Sequence, residues 1–424
     1  MAAPHGTGVA ALVYQMKPEA SAAQVKRCIV EGAQNRREPV SNRRPEDART
    51  SYPVLTADAA VACIKGETNP VQGELLAPTT YGDGGGSYTG MTALADLNGD
   101  GRTDIVVGRD NFDPGVGWDS DVKLLFGVGN GTFTQGPSFA TGLTPIDVAV
   151  GDLNGDGRLD IATANSNESF SSVLYGDGHG AFDTRIDYEV GYSGRNVKIA
   201  DINGDGRKDL LVNVYTSDGY VSVMIQRPDG TLAPKVDYEV GPTPTHLTVA
   251  DLNNDMYPDI ISNGATILLN NGDGTFAARR ENQVPTFSIA VADVNSDGKP
   301  DIVAATVCGC DPDRAEDPSV SVMLGNGDGT FRPRTRFALD GPTPQAIAAG
   351  DINGDGRMDV VVADYNVNYV LVLTGDGTGA FSSPVRSPEA NNTFWDVDIA
   401  DLNNDHKLDV VGGLMGTAVV FLHK

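Results

Sequence analysis

No run of 18 apolar residues occurs in the 424-residue chain, so it offers no candidate for a membrane-spanning helix. Basic residues are scarce: 31 Lys and Arg stand against 57 Asp and Glu, a formal net charge of −26. Nucleic-acid phosphates are held by basic patches, so that class of partner is excluded. HExxH, P-loop and nucleotide fingerprints are absent, and with them the signals for zinc hydrolysis and nucleotide chemistry. A secretory signal is missing too, because Met1 is followed by small residues and Pro4 instead of a basic region and an apolar run. Only four cysteines are present, Cys28, Cys63, Cys308 and Cys310, an even number that permits disulfides without establishing them.

What the chain has in abundance is turn residues, 51 Gly and 24 Pro, as expected of many short strands joined by tight turns. Its charge is divided unevenly. Residues 1–66 hold nine basic and six acidic residues, whereas 67–424 hold 22 basic and 51 acidic ones. The chain therefore divides into a short head and a long acidic body.

The body repeats one nine-residue pattern, Asp-x-Asn-x-Asp-Gly-x-x-Asp, seven times. Loop positions 1, 3, 5 and 9 are Asp96, Asn98, Asp100 and Asp104 in the first copy and Asp152, Asn154, Asp156 and Asp160 in the second. They are Asp201, Asn203, Asp205 and Asp209 in the third, and Asp251, Asn253, Asp255 and Asp259 in the fourth. The fifth has Asp293, Asn295, Asp297 and Asp301, the sixth Asp351, Asn353, Asp355 and Asp359, and the seventh Asp401, Asn403, Asp405 and Asp409. Successive copies begin 56, 49, 50, 42, 58 and 50 residues apart.

Side chains that offer oxygen donors at this spacing suit a hard cation. Calcium takes about six to eight oxygen ligands, and carboxylates crowded into one tight loop repel one another without a cation between them. Up to seven Ca2+ ions are therefore expected, with the carbonyl at position 7 as a further donor. Glycine at position 6 gives the backbone a sharp turn at positive φ. Met256 and His406 replace it, and Pro258 stiffens the fourth loop, so these two loops are expected to bind more weakly. A plain Asx-rich turn is the competing explanation. EF-hands are excluded, since position 12 carries Val107, Thr163 and Val212 instead of glutamate, and strands flank the loops.

Around each loop the order is constant. One strand enters, a second leaves (Asp104 to Gly108), and a third follows (Val122 to Phe126). A Gly-rich turn then ends in an aromatic at Phe133, Phe182, Phe276, Phe331 and Phe381, with Leu232 in its place in the third unit. A fourth strand leads to a bend, Thr-Pro in three units. Four strands per fifty residues predict an all-β fold, a seven-bladed β-propeller over 67–424 with four-stranded blades. The last unit stops after its third strand, and Gly73 to Tyr81 is positioned to supply the missing fourth and close the ring.

These motifs resemble the FG-GAP (VCBS) repeat family, the propeller of integrin α-subunits and of many bacterial surface and secreted proteins. The resemblance implies calcium between the first two strands of a blade and ligand recognition on the opposite face. It further implies a secreted or cell-surface scaffold for an extracellular protein or glycan, without a membrane span or nucleic acid, and a propeller lectin as one variant. Two connections on that opposite face are long, Arg109 to Asp121 with Phe112 and Trp118, and Val307 to Ser319 with Cys308-Gly-Cys310. That cysteine pair suits a small disulfide better than zinc, which needs more Cys or His nearby. Trp395 is expected in the core.

In the head, helices are expected over Ala3 to Gln15 and from Ala20 to Ala33, with Ser21 as a cap. Met1-Ala-Ala-Pro-His5, Gly8 to Leu12 and Tyr52 to Gly66 resemble the C-terminal end of a subtilisin-like serine protease domain. The family's nucleophilic serine would precede Met1, and its aspartate and histidine lie further upstream; His5 is not its general base. A Ser-His-Asp mechanism needs all three groups, so residues 1–66 are expected to be a short helical remnant and the chain as written no enzyme. The resemblance also implies an incomplete N-terminus, an extracytoplasmic setting in which Cys28 and Cys63 could pair, and, as an alternative function, a C-terminal accessory module of such a protease.

Overall fold

The computed structural model describes residues 75–82, 91–113, 117–282, 284, 286–306, 318–339, 343–390, 393–414 and 416–424. The expectations for residues 1–66, for all four cysteines and for most of the Val307 to Ser319 connection lie outside the described residues.

Glu74–Lys424 is one compact unit. Its described strands form seven antiparallel sheets, taken here as blades 1 to 7 in chain order. The innermost strands are Thr92–Ala95, Pro145–Gly151, Gly194–Ala200, Leu247–Ala250, Ser288–Ala292, Pro344–Gly350 and Asp396–Ala400. Each contacts the next, and the seventh contacts the first, so the ring is closed. Blade 7 completes itself with Thr79–Tyr81, whose register pairs Thr79 with Val420 and Tyr81 with Ala418. The strand predicted before the first loop is thus the outer edge of the last blade.

Two features differ from the expected plan. Blade 4 has three strands, and its fourth is reduced to a bridge between Ile267 and Arg280, in keeping with its having the shortest repeat. In blade 1 the long connection is strand, not loop. Asp104–Asp113 and Gly117–Gly127 run on as a hairpin arm, with Arg109 opposite Asp121 and Asp113 opposite Gly117.

Burial follows radius. The second strand of a blade lies between two neighbouring sheets and is buried at every residue, as in Asp359–Asp364. That explains its β-branched, nearly continuous apolar sequence. Outer strands such as Thr335–Ala338 keep one part-buried residue among exposed ones. The core lies between blades: Leu97, Val106 and Leu124 of blade 1 pack with Val148, Ile161 and Phe182 of blade 2. Four of the five aromatics that end a Gly-rich turn sit edge-on against the outer strand of the preceding blade. Phe182 meets Phe139 at 5.5 Å, Phe276 meets Tyr238 at 5.0 Å, Phe381 meets Phe337 at 5.5 Å, and Phe133 meets Tyr81 at 5.3 Å across the ring closure. Trp395 immediately precedes the innermost strand of blade 7, half-buried and edge-on to Tyr365 at 4.6 Å.

Candidate cation loops and channel groups

All seven Asp-rich loops link the first and second strands of their blades, at the same end of the ring. Their backbone bonding repeats without exception. The position-1 carboxylate accepts the N–H of position 6 at 2.7–2.8 Å. The position-3 Asn Oδ1 accepts from position 5 at 2.8–3.1 Å. The position-5 carboxylate accepts from position 7 at 2.9–3.0 Å. Each named side chain is thus held over the loop by the loop's own backbone.

Position 9 is different. Asp104, Asp160, Asp209, Asp259, Asp301, Asp359 and Asp409 are fully buried. In each, Oδ2 accepts the position-2 N–H at 2.8–3.1 Å. Oδ1 accepts an N–H from the end of the third strand at 2.7–2.9 Å. These aspartates clamp the loop to its own blade, a role the spacing alone does not reveal. Burial pushes their pKa up, to about 6 for Asp160, Asp209, Asp259 and Asp359, and the carboxylate at position 5 adds to the shift in each.

Among the described residues no group of three or more His, Cys, Asp or Glu side chains is already drawn together to hold a metal ion. The donor set nevertheless fits a hard cation. Three carboxylates and an Asn oxygen share each loop, and a carboxylate oxygen that accepts one N–H keeps a second lone pair. A partial substitute for a cation is also present, which the sequence reading missed. Position-7 Arg102, Arg207 and Arg357 pair with Asp100, Asp205 and Asp355 of their own loops.

Positive φ occurs at positions 4 and 6 of every loop. Position 4 is Gly99, Gly155, Gly204, Asn254, Ser296, Gly354 and Asn404, and at position 6 Met256 (75°) and His406 (66°) keep the glycine conformation. The next blade's Gly-rich turn closes over each loop where it can donate to the position-2 carbonyl, as Gly131 does to Leu402, Gly329 to Leu252 and Gly379 to Val294.

A second group of polar residues lies on the innermost strands. Five residues before a loop, a side chain accepts a backbone N–H from the next blade. Asp147 accepts from Val197 at 2.9 Å, Ser288 from Ile347 at 3.3 Å, and Asp396 from Thr92 at 3.0 Å. The neutral His246 ring does the same for Ile289 at 3.1 Å. Burial and the Lys198 charge lower the pKa of His246 to about 3. Lys198 Nζ stands 3.6 Å from Asp147, with a third of its side chain open to the channel. Burial alone would lower its pKa, but the charges of Asp147, Asp396 and Asp398 raise it.

A family model described as FG-GAP-like repeat matches residues 96–163, 153–212, 262–304, 306–362 and 351–412. No curated protein matches the chain. Among solved structures, it is similar to an Agrocybe aegerita lectin described as recognising non-reducing terminal N-acetylglucosamine, with 19% identity and a TM-score of 0.55 over 83% of this chain and 96% of that one. It is also similar to BBS1N in a complex with ARL6DN, with 14% identity and a TM-score of 0.57 over 84% of this chain and 98% of that one. At these identities the likeness is one of fold.

Proposed function

The chain belongs to the FG-GAP-like repeat family, and from that premise we propose that it is a calcium-stabilised extracellular scaffold that binds a protein or glycan through its propeller. The match indicates a propeller scaffold and no enzyme family, so the function is one of binding. The observation that carries the calcium reading is the sevenfold repetition of the loop bonding. In every copy the backbone holds Asp, Asn and Asp over the loop, next to a buried carboxylate whose pKa is raised by burial first and then by the charge of the position-5 Asp, as at Asp104. Residues at positions 1, 3, 5 and 9 would hold the ion, with the position-7 carbonyl. The bound cation would neutralise the loop and fix the turn between the first two strands.

An extracellular setting agrees with this chemistry. Loops open to solvent suit the calcium-rich exterior, where modules bind with constants of about 10⁻⁴–10⁻³ M. Among the described residues no helix is long and apolar enough to cross a membrane. A glycan is one ligand class within the proposal, since a propeller of the same fold is described as recognising N-acetylglucosamine. The resemblance of residues 1–66 to a protease end adds a second context, in which the propeller is the accessory module of a longer peptidase.

Thermal melts with and without chelator, joined to metal counting, test the calcium reading. The expected result is a lower melting temperature in chelator and at least five calcium ions per chain. An unchanged melt with no bound metal would sink it.

A further inference from the structure

Arg195 is the second residue of the innermost strand of blade 3, Gly194–Ala200, at the end away from the Asp-rich loop. The register shifts there, from Gly194 opposite Val214 to Asn196 opposite Asn213, so Arg195 has no residue opposite it. A bulge of this kind re-aims a side chain. The guanidinium lies over the ring of Tyr215, its Cζ 4.7 Å from the ring centre. Tyr215 directly follows the second strand of the blade, and its N–H is held by the Ser193 carbonyl at 2.9 Å. Ring and guanidinium are thus fixed on two paired strands, on the face opposite the loops.

Among the described residues that stacking is the guanidinium's one partner. No carboxylate pairs with it, and its Nε is buried without an acceptor. By contrast, Arg102, Arg109, Arg185, Arg207, Arg279 and Arg357 each pair with a carboxylate. In a chain with 57 acidic and 31 basic residues, a part-buried arginine without one is a departure. Buried donors are normally satisfied, and an N–H left without an acceptor destabilises the fold. Nor does the repeat require arginine here, since six residues before their loops blades 2, 6 and 7 have Ile146, Gln345 and Trp395. With Nε shielded, the open edge of the guanidinium is the one that Nη1 and Nη2 form. Two donors in one plane match the two oxygens of a carboxylate.

We infer that Arg195, on its Tyr215 shelf, is an anchor for a carboxylate side chain presented by a partner protein. Charge selects the source of that carboxylate. Residues 67–424 hold 51 acidic and 22 basic residues, a field that repels a polyanionic glycan and attracts a basic protein surface. A single carboxylate within such a surface finds in Arg195 a guanidinium with no counter-charge of its own. The pair then fixes the register in which the two surfaces meet. The inference rests on the scaffold reading and narrows it to one residue and one ligand chemistry, independently of whether the loops hold calcium.

The test is NMR on the full chain, following the Arg195 Nε–H resonance, which is assigned by its absence in Arg195→Lys. N-acetyl-glutamate amide is the probe, with its uncharged isostere N-acetyl-glutamine amide and sodium glucuronate beside it. A saturable shift with the glutamate probe alone is expected, in the millimolar range. Saturation transfer to that probe should be lost in Arg195→Gln and kept in Tyr215→Phe, which retains the ring. Arg195→Gln should melt no lower than the parent. No shift, an equal shift with the glutamine or glucuronate probe, or undiminished transfer in Arg195→Gln overturns the inference. So does an Arg195→Gln protein that melts well below the parent, because the arginine then serves the fold. The chelator melt is read separately: a missing shift with an intact chelator response sinks the anchor alone, and a clear shift with no chelator response sinks the calcium reading alone.

Discussion

Asp396 accepts the Thr92 N–H at 3.0 Å, a bond between the last blade and the first that spans 304 residues of sequence. Thr92 Oγ1 lies 2.9 Å from Asp398 and 3.4 Å from Asp396. The hydroxyl donates to Asp398, and Asp396 stands near enough to share it, so two buried carboxylates gather around one donor. Ladder bonds hold strands together within a blade, but innermost strands of neighbouring blades share none. Side-chain acceptors take their place, and at the ring closure the acceptor is an acid.

Asp398, two residues further along the same strand, gives the fold a pH dependence of definite sign. Burial, and after it the charge of Asp396, raises the pKa of Asp398 to about 8. A carboxyl raised above its unfolded value of about 3.9 stabilises the fold at low pH and loses that contribution as pH rises through the folded pKa. His246 acts oppositely, since its folded pKa of about 3 makes stability fall as pH drops below about 6.5. The groups facing Asp398 are Asp396 on its own strand, Thr92 on blade 1, and Asp147 and Lys198 across the channel. The blade 6 strand Pro344–Gly350 brings no charge. In saturating calcium the melting temperature should fall between pH 6.5 and 8, and Asp398→Asn should flatten that fall. Parallel profiles for the two proteins would refute the assignment.

Met256 N–H bonds to Asp251 at 2.7 Å from a residue that is 87% exposed and held at φ 75°. A side chain in this region costs about 1–2 kcal/mol, and glycine returns part of the relief as unfolded-state entropy. Met256→Gly should therefore stabilise by about 0.5–1 kcal/mol, and His406→Gly by a similar amount. Calorimetry of both variants beside Met256→Ala, which keeps the strain and should gain nothing, decides the point.

Asp359 and Asp351 separate clamping from ligation. Asp359→Ala leaves the N–H groups of Ile352 and Gly375 without their acceptor in a buried place, a loss of about 2–4 kcal/mol. That loss should persist in chelator, where the ligand role is silent. Asp351→Ala should show most of its effect only in calcium. Denaturant titrations of both variants, each with and without chelator, would expose the opposite pattern if the roles were reversed.

The blade count, the sevenfold Asp-rich loop and the strand lent to blade 7 were legible in the sequence because each repeats or completes a repeat. Asp104 and its six counterparts were legible as the last residue of the loop pattern but not as clamps, since their second partner, such as Gly127, lies beyond the third strand. The acceptors Asp147, Ser288 and Asp396 could not be found from spacing, because their meaning depends on which strand is next in space. The Arg109 to Asp121 segment looked like a loop for want of an apolar run, yet its ends carry a buried ion pair.

Arg109 and Asp121 support the last prediction. They face each other across the base of the blade 1 arm, where Nε and Nη2 of Arg109 reach the two Asp121 oxygens at 2.7 and 2.6 Å. Each residue is only 8% exposed, and Ser138 takes a further Arg109 N–H at 2.9 Å. Removing one partner strands a buried charge and typically costs about 3–5 kcal/mol, whereas replacing both with apolar side chains of similar volume is often close to neutral. Arg109→Ala should therefore destabilise strongly and raise hydrogen exchange along Asp110–Asp113, while the double variant Arg109→Met, Asp121→Leu should recover most of the stability. A double variant as unstable as the single one would mean that the pair contributes direct attraction beyond mutual neutralisation, and the arm would then depend on charge for its stability.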